Sequence, residues 1–156
     1  LTSLTTNSKV SLGGNVTTTA SQTYNDAVTI ANNPILTGQG ITFKNTVDPL
    51  NNVGSSLTVD GGTGDVRFNS TIATINNPIV DLKTKSTGTT VFSQAVSAVT
   101  LTTDAAGGKT QVEGPVTTTG SQTNNDAVTI AKNPILAGND VTLKKTIADT
   151  RDVKGT

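Results

Sequence analysis

The chain has no cysteine, histidine, methionine or tryptophan, and its aromatics amount to three Phe and one Tyr in 156 residues. Each absence excludes a chemistry. Without His or Cys there is no Ser–His–Asp triad, no thiolate nucleophile, no zinc finger, no haem ligation and no imidazole acid or base. A disulfide framework is impossible too, which by itself leaves the compartment open. Charge of one sign is also missing. The 11 basic and 11 acidic side chains cancel, so there is no electrostatic footprint for nucleic acid or an anionic membrane. Apolar runs are short, and none approaches the roughly 20 residues of a membrane-spanning helix. The opening stretch, Leu1-Thr2-Ser3-Leu4, lacks the basic-then-apolar layout of a signal peptide.

What fills the chain instead is 32 Thr, 16 Val, 15 Asn, 15 Gly and 11 Ser, together 89 of the 156 positions. Those are strand formers and turn formers, not helix formers. The bias, with His, Cys and Met all absent, fits exported repetitive bacterial surface proteins better than a cytosolic enzyme. The expected place is extracellular or on the bacterial cell surface.

The sequence repeats at an offset of 100 residues, and repeats of that kind decide the fold. Val16 to Thr46 reads VTTTASQTYNDAVTIANNPILTGQGITFKNT; Val116 to Thr146 reads VTTTGSQTNNDAVTIAKNPILAGNDVTLKKT. Of these 31 positions 22 are identical, without a gap. Leu1-Thr2 matches Leu101-Thr102, Lys9 matches Lys109 and Gly14 matches Gly114. Ile41 becomes Val141 and Phe43 becomes Leu143, so positions expected inside stay apolar. The organisation is therefore one continuous segment over 1–156, about one and a half copies of a unit (1–100, and 101–156 in part). It reads as a window from a longer array. Within the unit, Asn32-Asn33-Pro34-Ile35 recurs as Asn76-Asn77-Pro78-Ile79 and as Lys132-Asn133-Pro134-Ile135, each after a short Thr/Ile strand at 29–30, 74–75 and 129–130.

Local patterning is strand throughout. Val10-Ser11-Leu12, Val28-Thr29-Ile30, Ile41-Thr42-Phe43, Leu57-Thr58-Val59, Val66-Arg67-Phe68, Val99-Thr100-Leu101, Val128-Thr129-Ile130 and Val141-Thr142-Leu143 all alternate apolar, polar, apolar. Between them stand turn residues: Gly13-Gly14, Gly61-Gly62, Gly107-Gly108, Asn51-Asn52 and the Asn-Pro pairs. Strands so short cannot build a thick two-layer core. Stacked at about 4.8 Å, however, each turn of chain gains a hydrogen-bond ladder and a continuous apolar column. The expectation is an all-β fold, a parallel β-solenoid, with Val28, Ile30, Ile41, Phe43, Val59, Val66, Phe68, Val128, Ile130, Val141 and Leu143 pointing inwards. Coils of roughly 20–25 residues make the unit four or five coils, or ~20–24 Å of axial length. A sandwich of immunoglobulin-like units is the competing reading, since 100 residues is the length of such a domain.

The runs from Gly14 to Thr19, from Ser21 to Thr29 and from Ser56 to Phe68 resemble repeats of large bacterial surface adhesins. These are the filamentous-haemagglutinin-like exoproteins exported by two-partner secretion. The resemblance implies a long parallel β-helical stalk, usually right-handed, carrying a distal tip. The amino-terminal secretion domain and the tip domain of that family have no counterpart in this sequence.

Candidate chemistry is sparse. Gly61-Gly62-Thr63-Gly64-Asp65 resembles the calcium-binding nonapeptide of repeat toxins, but that motif wants Asp sixth, where Val66 stands. A carboxylate displaced by one residue points to the other face. The ten Asp and one Glu are scattered singly, whereas glycoside hydrolysis needs a pair some 5–10 Å apart. Asp26 and Asp126 are repeat-equivalent and suit turn caps. Thr17-Thr18-Thr19 and Thr117-Thr118-Thr119 are too rare to form an ice-binding Thr-x-Thr face on every coil. The sequons Asn15-Val16-Thr17 and Asn69-Ser70-Thr71 are expected by chance in so Asn- and Thr-rich a chain. No catalytic, cofactor-binding or metal residue is therefore expected, and no cofactor; the chain is not expected to be an enzyme.

Two functions remain as expectations. One is a structural stalk or repeat segment of an extracellular adhesin, giving reach and stiffness for attachment or display. The other is a self-assembling subunit of an extracellular fibre or sheath. The expected partners are neighbouring repeats or other copies end to end, with a host or neighbouring cell surface reached through regions beyond this sequence. Neither nucleic acid nor a membrane span enters either reading.

Overall fold

A computed structural model of the chain describes residues 1–50, 54–104 and 107–150. The expected turn at Asn51-Asn52 lies outside them. Among the described residues there is no helix, and so none long and apolar enough to cross a membrane. The strands wind as a parallel β-solenoid of about 7 turns.

Three strand positions recur per coil, defining three faces. Coil one holds β1 (Leu4–Thr6), β2 (Val10–Leu12) and β3 (Val16–Thr17). Coil two holds β4 (Gln22–Tyr24), β5 (Val28–Ile30) and β6 (Ile35–Thr37). Coil three holds β7 (Ile41–Phe43), β8 (Val47–Pro49) and β9 (Leu57–Asp60). Coil four has β10 (Val66–Phe68), a lone bridging residue, Ile72, and β11 (Ile79–Lys85). In coil five β12 (Thr89–Phe92) is followed by β13 (Val96–Thr103), one strand long enough to cover two faces. Coil six holds β14 (Lys109–Val112), β15 (Val116–Thr118) and β16 (Ser121–Asn124). Coil seven holds β17 (Ala127–Ile130), β18 (Leu136–Ala137) and β19 (Asp140–Leu143), and β20 (Ile147–Asp149) opens the next.

Face one is an eight-stranded sheet in the order β1-β4-β7-β10-β12-β14-β17-β20. Face two runs β2-β5-β8, then through Ile72 to the first half of β13, β15 and β18. Face three runs β3-β6-β9-β11, the second half of β13, β16 and β19. Every strand pairing is parallel. That removes the sandwich. Stacked partners on face one are Leu4, Gln22, Ile41, Val66, Thr90, Thr110, Val128 and Ile147, so coils are 18 to 25 residues long. The shortest fall just under the expected range.

The core is a set of columns along the axis. Tyr24, Phe43, Phe68 and Phe92 stack face to face inside face one, with centroids 5.0, 4.8 and 5.5 Å apart. All four aromatics of the chain are in that one column. On face two the column is Val10, Val28, Val47, Ile72, Val96, Val116 and Leu136. Val28, Ile30, Ile41, Phe43, Val59, Val66, Phe68 and Val128 are buried as expected. Ile130 and Leu143 are half-buried. Val141 corrects the expectation: it is 36% exposed. It stacks on Gln122 from one side, and no described strand covers its other side.

The Asn-Pro turns also divide. Asn32, Lys132 and Asn133 adopt left-handed φ of 58°, 61° and 54°, conformations that Asn tolerates best among residues with a side chain. The middle copy differs. Ala73 takes the positive φ (55°), Thr74 bridges Asn77 in an antiparallel sense, and Ile75 is 56% exposed. The strand expected at 74–75 is therefore a tight turn.

The 100-residue repeat does not return to its own face. β4 lies on face one of coil two and its counterpart β16 on face three of coil six, four whole coils and two further faces along. β5 on face two matches β17 on face one, and β6 on face three matches β18 on face two. Each element of the second copy has moved by the same step. The repeated sequence thus encodes strand, turn and in/out alternation, and leaves the face unspecified.

Candidate functional site

The Gly61–Asp65 turn is built for close contact between coils. Gly64 N–H donates to the Gly61 carbonyl (3.0 Å), and Gly62 N–H to Asp60 Oδ1 (3.0 Å). Thr63 donates to Gln39 Oε1 of the coil before, from its backbone N–H (3.1 Å) and from its hydroxyl (2.7 Å). A Cβ on Gly64 would sit 2.6 Å from Gly40 N, so only glycine lets the backbones approach this far. Ser86 Oγ donates to the Gly64 carbonyl from the other side.

Asp65, the residue that brings calcium to mind, has both oxygens in use. Oδ1 accepts from Thr89 N–H of the next coil (2.8 Å), and Oδ2 pairs with Arg67 Nη2 (2.6 Å). The Thr89 N–H holds its carboxyl below the usual range, burial opposes, and the Arg67 guanidinium adds to the lowering. Among the described residues no three Asp or Glu side chains converge. The two repeat-equivalent acids sit differently: Asp26 Oδ1 accepts from Ala27 N–H (2.7 Å), whereas Asp126 is 2% exposed and accepts from Thr110 Oγ1 (3.4 Å).

The Thr triplets close turns. Thr18 and Thr118 point inwards and donate to the Ala20 and Gly120 carbonyls (2.7 and 3.2 Å). Outward threonine ladders do exist, elsewhere: Thr5-Thr23-Thr42 on face one and Thr102-Thr123-Thr142 on face three. They could not be read from the sequence because their partners lie 18 to 21 residues apart in coils of unequal length. Asn15 of the first sequon is engaged, its Oδ1 accepting from Ile35 N–H (2.9 Å).

Ion pairs form both along one rung and between neighbouring coils. Lys83 pairs with Asp81 (2.7 Å), and Lys85 with Asp60 (3.2 Å) one coil away. These two lysines flank a shallow groove of about 180 Å³ with Thr58, Thr102 and Asp104. A second groove, about 320 Å³, is lined by Gly54, Asn76, Asn77, Pro78, Val80 and Val99.

One contact changes identity between copies. Asn32 Nδ2 donates to the Gly13 carbonyl (3.0 Å); at the matching positions Lys132 Nζ pairs with Glu113 Oε2 (2.6 Å). Both members changed and the contact across one coil survived. Glu113 is held below its usual range by the Lys132 ammonium, against burial, with help from the Gln111 amide at 2.6 Å. The side chains that stand out in the sequence thus connect one coil to the next. Comparison of the chain with known protein families, with curated proteins and with solved structures finds no match.

Proposed function

We propose that this chain is a stalk segment of a large extracellular bacterial adhesin of the filamentous-haemagglutinin-like, two-partner-secretion kind. Its work is mechanical: reach and stiffness for surface attachment or display. The observation that carries the reading is the unbroken eight-strand ladder of face one. Every coil is tied to the next by parallel backbone hydrogen bonds, so the rod lengthens by simple addition of coils. The Asp65 and Glu113 contacts between coils and the lack of His and Cys favour a scaffold over a catalyst.

The test is a tandem series of one, two and three 100-residue units, measured by small-angle scattering and electron microscopy. A stalk grows by about 22 Å per unit, from four and two-thirds coils at about 4.8 Å each. Particles that become rounder as units are added would overturn the reading, as would turnover of a polysaccharide by the chain. Long filaments assembled from the single unit at micromolar concentration would favour the fibre-subunit reading instead.

A further inference from the structure

The two repeat copies treat one interior position differently. In the first, Gln22 is fully buried and its amide is satisfied. Its Nε2 donates to the carbonyls of Val16 (3.3 Å) and Thr37 (2.9 Å) and to Thr18 Oγ1 (3.3 Å), while its Oε1 accepts from the Tyr24 hydroxyl (2.9 Å). In the second copy Gln122 holds the matching place, 1% exposed, but Asn124 stands where Tyr24 does. The phenol is gone. Thr118 Oγ1, meanwhile, lies on the carbonyls of Gly120 (3.2 Å) and Ala137 (3.4 Å), the latter being the counterpart of the Thr37 carbonyl.

As a result Gln122 Nε2, Gln122 Oε1 and Asn124 Nδ2 have no hydrogen-bond partner among the described residues. Thr84 Oγ1 has none either. Register places these groups together. Asn124 stacks on Thr103, whose hydroxyl donates to Asn124 Oδ1 (3.3 Å), and Thr103 stacks on Thr84. Gln122 lies two residues earlier on the same strand and points to the same side. A polar column here continues the line of Val16, Leu36 and Val59.

Buried amides left dry forfeit the hydrogen bonds they had in the unfolded chain, which is why native interiors pair nearly all of them. The chemistry of the set identifies the missing partner. A cation needs acceptors only, and Gln122 Nε2 and Asn124 Nδ2 are N–H donors. An anion would leave Gln122 Oε1 unanswered. Water gives and receives, and it fits where several polar groups converge on roughly 30 Å³ of space. Asn124 is smaller than the Tyr24 that holds the matching place. We propose that the interior of coils five to seven is an ordered-water site. One molecule stands in for the Tyr24 hydroxyl and donates to Gln122 Oε1, and it links Gln122 to Asn124.

Two measurements test this. Oxygen-17 magnetic relaxation dispersion counts long-lived internal water in the intact chain. The Asn124→Tyr variant rebuilds the first copy's Gln–Tyr pair and should abolish at least one such water while keeping the circular dichroism of the parent. Equal dispersion in parent and folded variant would overturn the site. Should that variant not fold, a high-resolution crystal structure of the parent decides. Water oxygen within hydrogen-bond distance of Gln122 Oε1 supports the proposal. A Gln122 amide turned onto the Val116 and Ala137 carbonyls, with no water beside it, refutes it.

Discussion

At the scale of single residues, Asp65, Glu113 and Tyr24 make folding stability depend on pH. Asp65 and Glu113 have folded-state values below the ordinary carboxylate range, which is about 4. Their contribution is fully present above that range and is lost as pH falls through the depressed folded values. The pair Asp65→Asn and Glu113→Gln should therefore lower Tm near neutrality, where the contribution is present, and flatten the acid side of a plot of Tm against pH, the variants converging on the parent as pH falls. Tyr24 acts at the other end. Burial pushes its phenol up to about 12, whereas in the unfolded chain it ionises near 10. Stability is then intact below about pH 10 and falls between there and about 12, because the unfolded chain sheds the proton first. Tyrosinate absorbance followed together with circular dichroism should show ionisation and unfolding as one event, and Tyr24→Phe should delay the unfolding.

Some of this was readable in the sequence and some was not. The displaced Asp of the Gly-rich turn argued against calcium from position alone. Its real partners, Thr89 N–H and Arg67, could not be named, because Thr89 lies one coil away and coil length was unknown. The exchange of Gly13 and Asn32 for Glu113 and Lys132 was the available signal: two changes at a fixed spacing of 19 residues mark a stacked pair. The buried Gln22–Tyr24 pair gave no such signal, since alternation says only that both point the same way.

At the scale of elements, alternation and β-branching located each of the eight strands expected by name. The one failure has a local cause. Thr74-Ile75 reads like Thr29-Ile30, but there the chain turns at Ala73 and face two narrows to the single residue Ile72. The aromatic column was half legible: Phe43 and Phe68 were expected inside, while Tyr24 and Phe92 join them through a register that only stacking defines. That column joins coils two to five by ring-on-ring contact, each pair adding about 0.5–1.5 kcal/mol beyond burial. Phe43 and Phe68, each with a ring on either side, should be the most sensitive. Phe68→Ala is expected to lose about 3–5 kcal/mol of unfolding free energy. Phe43→Leu, the exchange the second copy makes at Leu143, should lose well under half as much. Denaturant unfolding of both variants measures the difference, and equal losses would mean the stack is not a unit.

At the scale of the whole molecule, one repeat unit is not a whole number of coils. A unit of four and two-thirds coils turns its surface by one face relative to the unit before, so three units, fourteen coils, are needed to bring a surface residue back to its starting face. This follows because in/out alternation is local, whereas the face is set by the summed lengths of all intervening coils. Those lengths differ, being longest where β7, β10 and β12 follow one another. In the array proposed above, a residue carried by each unit would stand on all three sides of the solenoid in turn. The absence of cysteine makes the rotation measurable with paired spin labels on outward threonines. Thr23 and Thr129 share face one and are five coils apart, about 24 Å at the parallel-strand spacing. Thr29 and Thr129 are repeat-equivalent and slightly closer along the axis, but they occupy faces two and one. The expected order is therefore inverted from the axial one: the label pair Thr23→Cys with Thr129→Cys gives the shorter distance, and Thr29→Cys with Thr129→Cys the longer. The opposite order would mean that equivalent residues line up on one face and that the unit is a whole number of coils.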